Sequence, residues 1–283
     1  MNLYFCPLVL KHFNKAHFMR FAYLSIFVCF SVVSLAQSIT ISGKSHKTVK
    51  IGDQTWLGEN LAVDQFTDGT ALRLCKSEEE WYDSFTKKQP AYMLMKFKES
   101  NAAYGYVYND YAVFNEKSLV PEGWHIPTLE DWNVLDKHLA KGFDPKTISE
   151  DCAQLDSFDE DDCYKGQKIR STGVWTAKSK MVKSFAGKNS TGFNALQAIY
   201  FSKEEVNCLG GAYRCDGFEG WSEYIGLTAW WTSSQESWVD SWDNAHTTIS
   251  IIRLGPAGEY DLNYGIEEGG FGEGFYIRVI KNE

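Results

Sequence analysis

Three kinds of hydrophobic pattern run along the chain, and each predicts a different element. Phe21 to Val33 is an apolar run of 13 residues. That is short for a ~30 Å hydrocarbon core, which needs about 20 apolar residues. Ser38 to Ile51 alternates β-branched and polar residues, which predicts a strand or hairpin that Thr55-Trp56-Leu57 continues. After Pro127, Trp132, Leu135 and Leu139 recur at i, i+3 and i+7, the apolar stripe of a helix. Thr128 is the N-cap of that helix. Asp131 follows three residues later, beside Glu130, in a first turn that favours carboxylates, and Gly142 is the stop.

Weaker signals cover the rest. Ser77, with Glu80 three residues on, predicts a second short helix over Ser77 to Phe85, ended by Pro90. Tyr104 to Phe114 is aromatic and β-prone. Glu150 to Asp162 holds seven carboxylates and reads as a solvated loop. From Lys168 onward, short strands are expected between Gly- and Ser-rich turns. They fall at Gly173 to Thr176, Phe193 to Phe201, Ala229 to Ser233, Thr247 to Leu254 and Phe275 to Ile280. No linker or fixed-period repeat divides the chain. The expectation is one α+β domain over 37–283, with one or two helices and an irregular antiparallel sheet. Trp124 and Trp132 flank the main helix start, and both are expected to be buried.

Arg20 before the apolar run and Ser34-Leu35-Ala36 after it complete the order of a secretory signal over 1–36, cleaved before Gln37. Either Met19 is the true start and residues 1–18 are an extension, or Lys11, Lys15 and Arg20 form one long basic n-region. No Cys follows Ala36, which disfavours lipid attachment. The expected destination is secreted or cell-surface, with no membrane span after cleavage.

Charge and cysteine change the picture next. The chain has 283 residues and a net charge of −9. Cleavage would remove Lys11, Lys15 and Arg20 and no acid, leaving −12. That sign argues against a nucleic-acid partner. Five cysteines follow the leader: Cys75, Cys152, Cys163, Cys208 and Cys215. Cys152–Cys163 and Cys208–Cys215 are the simplest short-range disulfides, leaving Cys75 unpaired; the alternative is five reduced thiols. None of these pairs has the spacing of a zinc or redox site.

Candidate chemistry is sparse. His125 has no Ser, Cys or second His spaced to work with it, so it reads as a packed imidazole bonded to backbone in a tight turn. His46, His138 and His246 are isolated. Asp156, Asp159, Glu160, Asp161 and Asp162 lack the order of a calcium loop. No metal and no cofactor is expected. Trp221, Trp230, Trp231, Trp238 and Trp242 crowd one stretch. Trp230 and Trp231 point to opposite faces of a strand, which leaves two readings open: one in the core and one exposed, or core for both, the favoured reading for any single Trp of the group. Trp238 and Trp242 lie in a Ser- and Asp-rich loop with Asp240, Asp243 and Asn244. Exposed indoles beside carboxylates and amides can stack on a sugar ring or a peptide, so these five residues form the candidate ligand site.

Several segments together carry a resemblance. Ile51 to Leu61 (IGDQTWLGENL), Tyr104 to Val113 (YGYVYNDYAV) and Leu119 to Leu135 (LVPEGWHIPTLEDWNVL) come first. Ser171 to Trp175, Gly192 to Leu196, Trp230 to Ser234 and Ile277-Arg278-Val279 follow in order. The sequence resembles the Fibrobacter succinogenes major paralogous domain family, exported bacterial proteins without a settled activity. Its Gly-Trp-x-x-Pro-Thr helix and Trp-Trp-x-Ser-Ser strand look like the C-type-lectin-like and formylglycine-generating-enzyme folds. The resemblance therefore implies a C-type-lectin-like domain. The family pattern places cysteines where this chain has Met93 and Val279, which suits a lost disulfide. Lectin calcium signatures are missing. Gly210 to Cys215 resembles the reactive region of the formylglycine-generating enzymes only superficially, since Cys208 precedes the glycines. The expectation is an exported, non-enzymatic binding or surface-interaction protein for an extracellular glycan or protein ligand. The alternatives are an oxidase of the formylglycine-generating type and a purely structural surface protein.

Overall fold

The chain begins its compact unit, Gln37–Glu283, with two hairpins in succession. In this computed structural model, residues 38–94, 104–144, 160–172, 174–175, 185–196, 199–203, 221–225, 228–239, 241–242, 245–254, 263–268 and 273–283 are described. The leader expected over 1–36 lies outside them. Strand β1 (Ser38–Ile41) turns into β2 (Lys44–Ile51) through Ser42 and Gly43, with φ of 48° and 75°. Positive φ at both central residues is what a two-residue hairpin turn requires. Strand β2 turns again into β3 (Gln54–Leu57) at Gly52, φ 62°. A Cβ there would lie 2.7 Å from His138 Nδ1, so both conformation and space demand glycine.

These hairpins are completed from far along the chain. Strand β15 (Ile280–Lys281) inserts between β3 and β7 (Trp124–His125), giving a five-stranded antiparallel sheet of order β1-β2-β3-β15-β7. Strands β4 (Arg73–Cys75), β5 (Ala91–Leu94) and β6 (Tyr106–Tyr108) form a second sheet. Its β4–β5 pair is parallel because helix α1 (Glu78–Thr86) provides the crossover. The third sheet is a meander of β12 (Thr228–Val239), β13 (Ala245–Leu254) and β14 (Asn263–Glu268). Strands β8 (Val174–Trp175) with β9 (Phe185–Ala186), and β10 (Ile199–Lys203) with β11 (Trp221–Ile225), make two small ribbons. The α+β class is as expected. In place of a single irregular antiparallel sheet, five small sheets stand among the described residues, antiparallel except for the β4–β5 pair.

Four helices, rather than one or two, stand among the described residues. The strongest expectation was met in α3 (Leu129–Leu139), where Thr128 and Asp131 close a capping box. Asp131 N donates to Thr128 Oγ1 at 3.1 Å and Thr128 N donates back to Asp131 Oδ2 at 2.7 Å. In α1, Ser77 Oγ accepts from Glu80 N, but Glu80 reaches Lys76 N instead of closing the box on Ser77. The β-prone Tyr104 to Phe114 divides into β6 and a one-turn helix α2 (Asp110–Val113), because Asn109 caps it by accepting from Ala112 N.

The solvated loop expected through Asp162 is corrected by α4 (Glu160–Ile169). Carboxylates that read as loop composition are favourable at a helix N-terminus, where they face the positive end of the backbone dipole. The later half buries Lys165, Gln167 and Ile169. Lys165 Nζ sits 3.0 Å from Asp136 Oδ1 of α3, and Lys168 Nζ donates to Leu139 O at the end of α3 and to Lys141 O in the turn beyond it. Residues 150–159 lie outside the described residues. Of the strand expected over Phe193 to Phe201, β10 covers Ile199 onward, whereas Phe193 turns into the core and Asn194 adopts φ 55°. Phe275 to Ile280 is wholly buried but pairs as isolated bridges and a short strand instead of one continuous strand.

Two apolar clusters make the core. One gathers Trp56, Trp81, Trp132, Phe193 and Trp230; the other gathers Leu57, Leu61, Tyr108, Trp231, Phe275 and Val279. The rings of Trp56 and Trp132 lie 4.9 Å apart, Trp132 and Trp230 5.5 Å, and Phe193 sits edge-on to all three at 5.7 to 5.9 Å. Such tilted and edge-on pairs each add about 0.5–1.5 kcal/mol beyond area burial. Trp132 is buried as expected. Trp124 is only partly buried, because it lies on β7, at the edge of its sheet, and covers the second cluster from outside.

Candidate functional site

Strand β12 changes character along its length. Thr228 to Thr232 are buried, and from Ser233 onward the strand is mostly exposed. Both Trp230 and Trp231 are fully buried, so of the two readings left open for this pair the core reading holds for both. The alternation itself holds: each indole enters a different cluster, because both faces of this stretch are covered. Trp230 Nε1 donates to Asn60 Oδ1 at 2.9 Å, and Trp231 Nε1 to Tyr108 O at 2.8 Å. A register shift between Trp231 and Gln235 then breaks the ladder to β13. At that point the strand is stitched to the N-terminus of α3. Ser233 N donates to Pro127 O, Ser233 Oγ to Ile126 O, and Leu129 N to Ser234 Oγ.

Beyond the stitch, the β12–β13 hairpin carries apolar side chains into solvent. Trp238 is 39% exposed, Val239 62% and Trp242 76%. Trp238 pairs with His246 and Val239 with Ala245. Of the five candidate ligand-site residues, Trp238 and Trp242 are therefore placed, both at the tip of the longest hairpin among the described residues. Asp240, Asp243 and Asn244 lie outside the described residues.

His125 is held differently from the sequence reading. Its ring nitrogens bond side chains instead of backbone: Nδ1 lies 2.7 Å from Asn282 Oδ1, and Nε2 lies 3.0 Å from Asp131 Oδ2. Burial pushes the Asp131 carboxyl up, but the Thr128 hydroxyl and N–H and the His125 ring outweigh it and hold it below its ordinary value. Both imidazole nitrogens are thus engaged, and the group works as a clasp between β7, the chain end and the α3 cap. Among the described residues no three His, Cys, Asp or Glu side chains converge as a metal cluster.

Cys75 is free and buried, its Sγ donating to Glu80 O at 3.4 Å, and burial pushes its thiol up. Cys152, Cys208 and Cys215 lie outside the described residues, as does the side chain of Cys163, so the two expected disulfides fall there.

Sequence reasoning missed Arg278. It is 1% exposed, at the centre of the apolar closing segment. Nη1 donates to Phe193 O at 2.8 Å and to Leu57 O at 3.2 Å, and the guanidinium lies 4.3 Å from the Phe193 ring centroid. Burial pushes its pKa down to about 9, opposed by the charge of Glu59, so it stays a cation at neutral pH. The available signal was one charged residue in the all-apolar run Phe275 to Ile280.

The family model of the Fibrobacter succinogenes major domain matches residues 49–281. No curated protein and no solved structure matches the chain.

Proposed function

The chain belongs to the Fibrobacter succinogenes major domain family, and from that premise we propose that it is an exported, non-enzymatic binding or surface-interaction protein with a C-type-lectin-like domain. Its ligand is an extracellular glycan, engaged by the β12–β13 tip. One observation carries the reading. Trp56, Trp81, Trp132, Trp230 and Trp231 are fully buried, whereas Trp238 and Trp242 are exposed together with Val239. Leu74, Tyr82, Leu94 and Val134 are exposed elsewhere, but at the tip three large apolar residues fall within five positions, and it is clustered apolar surface that marks interaction sites. In the sequence these indoles alternate with Asp240, Asp243 and Asn244, acceptors and donors suited to sugar hydroxyls. Export rests on the leader pattern of residues 1–36, and the secreted product begins at Gln37.

Two measurements test this. Mass spectrometry of the exported protein should find Gln37 at the N-terminus, and an intact leader on it would refute the export reading. A glycan array should give signal that is lost in Trp238→Ala and Trp242→Ala while far-UV circular dichroism is unchanged. Silence across the array, with capture of a protein ligand by the same tip, would move the reading from glycan to protein.

A further inference from the structure

A cavity of about 340 Å³ lies away from the hairpin tip, between β2, the segment after β3, the Asn194 loop and the closing segment. Its polar lining comes from Ser45, Lys47, Glu59, Asn60, Asn194 and Arg278. Lys47 and Glu59 are exposed at its mouth, and Asn60 and Arg278 are buried at its floor. Asn60 is already committed, donating to Tyr104 O and accepting from Trp230 Nε1, so it builds the wall.

The charges around this cavity are not balanced internally. Lys47 and Arg278 both line it, and neither forms an ion pair among the described residues. Arg278 spends Nη1 on two carbonyls, and its Nε has no hydrogen-bond partner among the described residues. Among the described lining residues Glu59 is the one carboxylate, and its Oε1 lies 2.7 Å from His46 Nδ1. Two cations against one carboxylate leave a single positive charge, in a protein whose net charge is −9. The carboxylate whose charge reaches the buried Arg278 is that of Glu59, which also bonds His46, so the guanidinium is only partly compensated and an arriving anion would add to that compensation. One unit of excess charge suits a carboxylate better than a phosphate dianion. A volume near the lower end of small-molecule sites suits a ligand the size of a monosaccharide.

We propose that this cavity binds the carboxylate of a small polar molecule, with Lys47 at the mouth and Arg278 at the floor supplying the countercharge and Ser45 and Asn194 meeting its neutral polar groups. The site is independent of the hairpin tip. The carboxylate is carried either by an acidic sugar or by a free organic acid.

Titration calorimetry of the exported protein with D-glucuronate, D-glucose and acetate tests it. Glucuronate should bind, glucose should not, and affinity should fall as salt rises. Binding of acetate as well would show that a free carboxylate suffices; binding of glucuronate alone would assign the carboxylate to a sugar. Lys47 is exposed, so Lys47→Gln leaves the core intact, and it should weaken glucuronate by about tenfold. Trp238→Ala should leave it unchanged. Absence of glucuronate binding, equal binding of glucose, or indifference to Lys47→Gln would overturn the site. Sensitivity to Trp238→Ala would overturn its independence from the tip.

Discussion

Trp230 and Trp231 stand near one end of β12 and Trp238 near the other, yet the first two are fully buried and the third is 39% exposed. Residue type, strand and ladder partner are shared. The difference is what covers the strand. Around Trp230 and Trp231, α3 and Phe193 pack one face, and Phe275 and Tyr108 the other. Past Ser233 and Ser234, where the strand is tied to the start of α3, mostly exposed side chains follow. The comparison teaches that an indole's role in this fold is decided by the elements docked on its strand segment, with the stitch at α3 as the boundary.

The largest effect should come from emptying the covered half. Trp132→Ala removes the ring that contacts Trp56, Phe193 and Trp230. Truncation of a buried Trp costs about 3–5 kcal/mol, out of a total stability of about 5–15 kcal/mol. Urea unfolding of Trp132→Ala, and of Trp230→Ala beside it, should show most of the cooperative transition lost. A midpoint near that of the parent would mean that the covered half is not the structural one.

The boundary itself comes next. Thr128→Ala deletes the cap hydroxyl of α3 and should cost about 1 kcal/mol in the unfolding free energy from urea titration. It should also speed hydrogen exchange at the Ser233 amide, which donates to Pro127 O. Full protection of that amide in a destabilised variant would place the boundary elsewhere.

Acid should act on the same joint with a smaller effect. The Asp131 carboxyl is held below its ordinary 3.8 in the folded protein. A depressed carboxyl stabilises the fold above its unfolded value and loses that contribution as pH falls through the folded value. The urea midpoint should therefore drop below about pH 4, and the drop should be shallower in Asp131→Asn. Identical acid slopes in the two proteins would remove Asp131 from the account.

The smallest effect on stability belongs to the exposed half. Trp238→Ala should change the unfolding free energy from urea titration by no more than about 1 kcal/mol, while abolishing glycan-array signal. If it destabilises as much as Trp132→Ala, the two halves of β12 are equivalent and the tip has no separate role.

Local features were legible because local chemistry makes them. The capping box of Thr128 and Asp131 and the stripe of Trp132, Leu135 and Leu139 need only neighbours within two turns. Exposure of Trp238 and Trp242 was legible from their polar neighbours, although Trp238 lies on β12 and not in the loop the sequence suggested. One misreading and two open points share one cause. Helix α4 was hidden by acids that suit a solvated loop and a helix N-terminus equally. Trp230 and Trp231 alternate as read, but alternation does not say whether one face or both will be covered. Arg278 looked like one motif residue, and only the return of the chain end beside Leu57 and Phe193 makes it a buried cation bordering a cavity.

By itself the sequence determined the caps at Ser77 and Thr128, the β character of Ser38 to Leu57, the α+β class, the family and the two indoles that stay in solvent. Tertiary structure alone decided that β15 closes a sheet between β3 and β7, that both faces of early β12 are covered, and where an unpaired guanidinium meets a cavity. The physical reason is range. Caps, turns and periodicity are energies between residues a few positions apart, whereas burial and charge compensation depend on segments such as Leu57 and Arg278, which only the folded chain brings together.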